Sequence, residues 1–180
     1  MKLASPRSMA HSGGVARTAI FVPILTSALA VLCFASACLA QDESKVKAGL
    51  TVWKTAGCPD CHGPFADGDK QRDEAPTGAN LRQTRLDDAA IAETVRCGRP
   101  GAGMPRFGED AYTPRGCYGQ PAGPVPDNLY PAARGLSAQE IDAVVTYLRA
   151  RIVGKRAVTP QECAAYYGEN ASSFCDDAPK

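Results

Sequence analysis

Cys58-Pro59-Asp60-Cys61-His62 places two thiols two residues apart and sets an imidazole directly after the second. Three chemistries use some of this pattern. Two thiols at this spacing can add to the two vinyl groups of one haem, and a histidine that follows at once is placed beneath the iron as its proximal ligand. A redox dithiol uses the cysteines and has no need of the histidine. Half of a zinc site uses all three, but such a site needs about four ligands. Only the first both gives every position a task and holds its group without a further ligand, so the rest of the chain must be read for a second iron ligand and for helices that would enclose a haem.

The chain has 180 residues, enough for one domain with a modest core. Charged residues make up 22% and the formal net charge is +1, which gives no sign of a nucleic-acid partner. Eight cysteines is a high number and points either to metal binding or to an oxidising compartment. The first forty residues bear on that choice. Lys2, Arg7 and Arg17 make a basic start, no charged residue follows from Thr18 to Ala40, and Gln41-Asp42-Glu43 opens a polar chain. This is the layout of a secretory signal peptide over residues 1–40. Met9 is a second possible initiator. A retained anchor stays open, because the uncharged run is long enough to span a bilayer. So does lipidation of Cys38, since Ala35-Ser36-Ala37-Cys38 loosely resembles a lipoprotein cleavage box. Parity supports cleavage after Ala40: it removes Cys33 and Cys38 and leaves six cysteines, two for haem and four for disulfides. The three basic leader residues go with it, leaving 17 basic and 19 acidic residues and a balance of −2.

Beyond the leader, Val46, Leu50 and Trp53 fall on one face of a helix predicted over Asp42 to Ala56, with Ser44 as its N-cap and Gly49 near the same face. A glycine there costs helix stability but lets another helix approach closely. Gly63 to Gly78 reads as a loop. A second helix opens at Leu86-Asp87-Asp88, carries Ile91 and Val95 inward and ends at Cys97-Gly98. Residues 106–135, rich in Gly, Pro and Tyr, read as an ordered insert without long elements. A third helix opens on a capping box of Ser137 and Glu140, buries Ile141, Val144, Val145, Leu148 and Ile152, and ends near Gly154. Residues 154–180 hold Cys163 and Cys175 and read as a tail pinned by a disulfide.

Arg99-Pro100-Gly101-Ala102-Gly103-Met104-Pro105 is a glycine-rich turn with Met104 near its end. Alone, a methionine is usually core filler. The methionines, however, are Met1, Met9 and Met104, and the histidines are His11 and His62. Once the leader is removed, one of each remains. If the iron takes two protein ligands, His62 and Met104 are the strong candidates, and His/Met ligation suits electron transfer.

These residues, taken in order, resemble the class I c-type cytochromes over roughly Asp42 to Ile152. The likeness rests on a helix with Gly49 and Trp53, C-x-x-C-H-G at 58–63, G-x-x-L from Gly78 to Leu81, G-M-P at 103–105, and a last helix with Tyr147-Leu148. The resemblance implies an all-α fold of three to four main helices around one covalent haem c, occupying 41–153. It also implies a near-perpendicular crossing of the first and last helices at Gly49, Trp53 and Tyr147. In that family a proline carbonyl often accepts a hydrogen bond from the proximal histidine. This chain has Ala79 at that place, and the carbonyl of Ala79 or of Pro76 could serve.

Cys97, Cys117, Cys163 and Cys175 allow three pairings. Cys97–Cys117 with Cys163–Cys175 is preferred because both close short loops. The first would stiffen the Met104 loop. Arg96, Arg99, Arg106 and Arg115 lie near that loop and suit either haem propionates, a docking rim or simple solvation. The expectation is a periplasmic electron carrier, not an enzyme, between a dehydrogenase donor and an oxidase or cytochrome acceptor. Two rivals are a dedicated haem subunit or acceptor of one periplasmic, quinoprotein-type dehydrogenase, and a haem ligand sensor or peroxidase-like enzyme.

Overall fold

A computed structural model of the chain describes residues 42–175. The predicted leader, with Cys33 and Cys38, lies outside the described residues. Among the described residues no helix is long and apolar enough to cross a membrane.

Among the described residues, six helices carry the fold. Helix α1 covers residues 42–55 and is already helical at Asp42, so Ser44 sits inside it and not at its cap. Short α2, Cys58–His62, holds the motif, and α3 is Asp88–Cys97. Asp87 caps α3 by accepting from the amide of Ala90. Helix α4, Ala138–Arg151, starts on the expected capping box: Ser137 accepts from the Glu140 amide while Glu140 accepts from the Ser137 amide.

The crossing of α1 and α4 depends on a missing side chain. A Cβ on Gly49 would lie 2.0 Å from the Ala143 carbonyl oxygen and 2.6 Å from Tyr147 Cβ, so only glycine lets the two backbones meet there. Around this contact Trp53, Val144, Tyr147 and Leu148 are buried, and the Trp53 and Tyr147 rings lie 6.3 Å apart. Val46, Val52, Ala66, Ile91, Phe107, Leu136, Ile141, Val145, Ile152 and, from the tail, Tyr166 complete the main core.

Two features depart from the expected all-α fold with a loop insert and a disulfide-pinned tail. The insert contains a small parallel pair of strands, β1 (Arg106–Gly108) and β2 (Pro131–Leu136), with an irregular register. Their alternation is too short to read from sequence, and β2 ends at Leu136, directly before the Ser137 cap of α4. The tail is also more ordered than expected. It holds α5 (Pro160–Tyr167) and α6 (Ala171–Phe174) on either side of a 3₁₀ turn at Gly168–Asn170. Helix α5 opens on a second capping box, Thr159 with Glu162, and has proline in its first turn.

The preferred disulfides form. Cys97–Cys117 spans 20 residues and Cys163–Cys175 spans 12. The first holds the insert on α3, and two further contacts reinforce it. Arg96 Nη2 donates to the Gly116 carbonyl at 2.6 Å, and the Tyr118 amide donates to Glu93 at 2.6 Å.

Candidate functional site

The motif helix begins abruptly. Gly57 precedes it with φ 74°, Pro59 sits in its first turn, and Gly63 ends it with φ 81°. Left-handed backbone at both ends confines the helix to the five motif residues. Cys58 and Cys61 are both free thiols, whereas the four other cysteines among the described residues are spent in disulfides. A redox C-x-x-C works through a thiol whose pKa is depressed. Here burial pushes the Cys58 thiol up to about 12, and burial, with the neighbouring Asp60 charge, raises Cys61 as well. A raised thiol pKa disfavours a redox nucleophile and is compatible with a thioether bond. A zinc site finds no support either. Among the described residues the one cluster of three potential ligand atoms is Glu93, Cys97 and Cys117, where both sulfurs are disulfide-bonded.

His62 is held as an iron ligand would be. Its Nδ1 lies 2.9 Å from the Ala79 carbonyl oxygen. A carbonyl can only accept, so the bond fixes the proton on Nδ1 and leaves the Nε2 lone pair free. Of the two carbonyls considered from sequence, Ala79 is therefore the partner. Desolvation lowers the His62 pKa, outweighing the contribution of the Ala79 bond, which favours the neutral, ligating ring. Gly78 makes room for it: a Cβ there would stand 2.6 Å from Nδ1 and 2.8 Å from the ring carbons Cε1 and Cγ. Its own amide donates to the Cys61 carbonyl at 2.8 Å, tying the loop to the motif. The Trp53 ring backs His62 at 6.0 Å between centroids.

Met104 is brought to the same region by its turn. The Arg99 amide donates to the Met104 carbonyl at 3.0 Å, closing a loop through Gly101 and Gly103, both with φ near 75°. Gly103 packs on Pro76, since a Cβ there would be 3.1 Å from Pro76 Cγ. The Met104 turn thus abuts the segment whose Gly78 and Ala79 touch the His62 ring. Met104 is half-buried and packs against the edge of the main core.

A family model described as Cytochrome c matches residues 46–151, more than half of the chain. The chain belongs to the cytochrome c family. Family membership carries haem binding and a helical haem-protein fold, and the free donor set at Cys58, Cys61 and His62 fits that group. No curated protein and no solved structure shows a significant match to the chain.

The four arginines near the Met104 turn separate into different roles. Arg96 is buried at 7% exposure, pairs with Glu93 at 3.2 Å and clamps the insert, so it is no part of a docking rim. Arg115 pairs with Asp110 at 3.6 Å. Arg99 is exposed. Arg106 Nε, two residues past Met104, and the Tyr112 hydroxyl are buried without a hydrogen-bond partner among the described residues. Sequence reasoning missed Arg82 altogether, although it is the most buried charged residue described, at 4% exposure.

Proposed function

We propose that this cytochrome c family protein is a mono-haem, class I electron carrier, exported to the periplasm, which passes single electrons from a dehydrogenase to an oxidase or another cytochrome. Cys58 and Cys61 would carry the two thioether bonds, and His62 and Met104 would be the axial ligands. The bound group supplies a one-electron ferric/ferrous couple. The observation that carries this reading is the fixed tautomer of His62, with Nδ1 committed to Ala79 and Nε2 free.

The chain's own groups do the rest. The Gly78 gap lets the His62 ring lie against the loop. The tight Met104 turn offers a soft thioether from a segment braced by Pro76 and, through Cys97–Cys117, by the insert. Arg106 Nε and the Tyr112 hydroxyl are buried donors in want of an acceptor, and the propionate carboxylates are acceptors. Were His62 and Met104 both to hold the iron, no place would remain at the metal for a substrate, which favours electron transfer over turnover.

A second reading, a dedicated haem subunit or specific acceptor of one periplasmic quinoprotein-type dehydrogenase, draws on the insert. It is tied to α3 by a disulfide yet presents Tyr118 at 46% and Tyr130 at 73% exposure, and exposed aromatics suit a standing partner. Haem staining of the denatured mature protein tests the covalent bonds: stain should persist in wild type and vanish in a Cys58→Ala/Cys61→Ala variant. Persistence in the variant would refute the attachment. Co-purification with a dehydrogenase at moderate salt would favour the second reading over the first.

A further inference from the structure

Arg82 sits in the 3₁₀ turn Leu81–Gln83, three residues after Ala79. Its guanidinium is buried, and every nitrogen is used. Nε donates to the Lys155 carbonyl at 3.1 Å. Nη1 donates to the Phe65 carbonyl at 3.1 Å and to Glu162 Oε1 at 3.0 Å. Nη2 donates to the Ala157 carbonyl at 2.7 Å and to Glu162 Oε2 at 3.2 Å. The backbone of the same residue accepts from the Gly154 amide at 2.9 Å. Glu162 is itself fixed, as the third residue of α5, by the Thr159 amide at 3.1 Å. Its helix is pinned by Cys163–Cys175 and by Lys54 over the Tyr166 ring at 4.5 Å.

The placement of this knot matters more than its strength. Phe65 lies three residues after His62, and Ala79 lies three residues before Arg82. Between them the Leu81 amide donates to the Ala66 carbonyl at 2.8 Å, and Asn80 Oδ1 accepts from the Arg82 amide at 3.0 Å. Arg82 therefore fastens both segments that flank the His62 ring to one another and to the tail.

From this geometry we infer that Arg82 and Glu162 are positioning residues for His62: through the Asn80–Arg82 turn they hold the Ala79 carbonyl on Nδ1, so that the disulfide-pinned tail tunes the reduction potential. The inference rests on His62 being the proximal ligand. A firm Nδ1–H···O=C bond makes the imidazole a stronger electron donor. A stronger donor favours the ferric state. Loosening the carbonyl should weaken the donor and raise the potential.

The test uses the haem-loaded mature protein and its Arg82→Lys, Glu162→Gln and Cys163→Ser/Cys175→Ser variants. Glu43→Gln is the control, because it removes a neighbouring carboxylate, in an exposed pair with Arg151 at 2.6 Å, that makes no hydrogen bond to the Arg82 knot. Equilibrium against a redox mediator gives the potential, and deuterium exchange of the His62 Nδ1 proton gives the integrity of the Ala79 bond. The expected result is a rise in the reduced-to-oxidised ratio of about three- to tenfold in Glu162→Gln, where tenfold is 59 mV for one electron. Faster Nδ1 exchange should accompany it, with neither change in Glu43→Gln. Lower thermal stability with an unchanged potential and unchanged exchange would overturn the inference and leave the clamp merely structural. If Arg82→Lys fails to load haem, Glu162→Gln and the disulfide variant decide, since each leaves the guanidinium its three backbone acceptors. A wild-type protein that lacks a low-spin haem spectrum would instead refute the ligation itself, so the two failures are distinct.

Discussion

At Gly78 and Gly49 a hydrogen stands where any other residue would place a methyl group against something that cannot give way. Beside Gly78 stands the His62 ring, 2.6 Å from the site of a Cβ. Gly78→Ala should displace the imidazole or push the Ala79 carbonyl off Nδ1, and the haem content per polypeptide should fall several-fold while the fold of α1 and α4 persists. Haem content measured against far-ultraviolet circular dichroism checks this. At Gly49 the obstacle is backbone, the Ala143 carbonyl at 2.0 Å. Gly49→Ala gains helix propensity but overpacks the crossing, and overpacking costs about 1–3 kcal/mol. A denaturant titration should show a net loss of stability despite the better helix former. The same scale explains what could be read in advance. The motif and the two glycines are local signals. The choice of Ala79 over Pro76 as the partner of His62 was not, because it depends on how a sixteen-residue loop closes.

Among the elements, the insert and the tail are where sequence and structure part. The Cys97–Cys117 pairing was legible from loop length, but the role of Arg96 was not. Its burial arises only when the insert folds back, so that its guanidinium meets Glu93 and the Gly116 carbonyl. A disulfide closing about 20 residues contributes about 3 kcal/mol in the chain-entropy account. Cys97→Ser/Cys117→Ser should therefore lower the unfolding free energy by about that amount. It should also let the Met104 turn open at a lower temperature than in wild type, seen as loss of the iron–sulfur absorption before global unfolding. Loss of both in a single transition would show that the disulfide stiffens the whole domain and not the turn. In the tail, Thr159-Pro160-Gln161-Glu162 was a readable helix start that sequence reasoning passed over, since the apolar stripe behind it is weak. Thr159→Ala should cost about 0.5–2 kcal/mol through the lost cap.

For the whole molecule, the segments that hold the site come from distant parts of the chain. Arg82 reaches Phe65, Lys155, Ala157 and Glu162, and no pattern in the sequence marks such a hub. Removing one partner of a buried pair leaves the other charge uncompensated, at about 3–5 kcal/mol. Arg82→Ala should fall in that range by thermal or denaturant unfolding, well beyond the exposed Arg151–Glu43 pair, for which less than about 1 kcal/mol is expected. The overall plan, helices packed around a C-x-x-C-H segment, was legible because glycine, cysteine, histidine and methionine each carry chemistry at fixed spacing. The strand pair and the short α6 were not, because their signals are only a few residues long.

The central claim is a closed metal centre, with His62 on one side and Met104 on the other, in a protein built to pass electrons. Carbon monoxide added to the reduced mature protein at neutral pH tests it most directly. The account predicts slow or negligible binding in wild type and rapid binding in Met104→Ala. Rapid binding by the wild-type protein would contradict it and turn attention to a sensor or peroxidase-like activity.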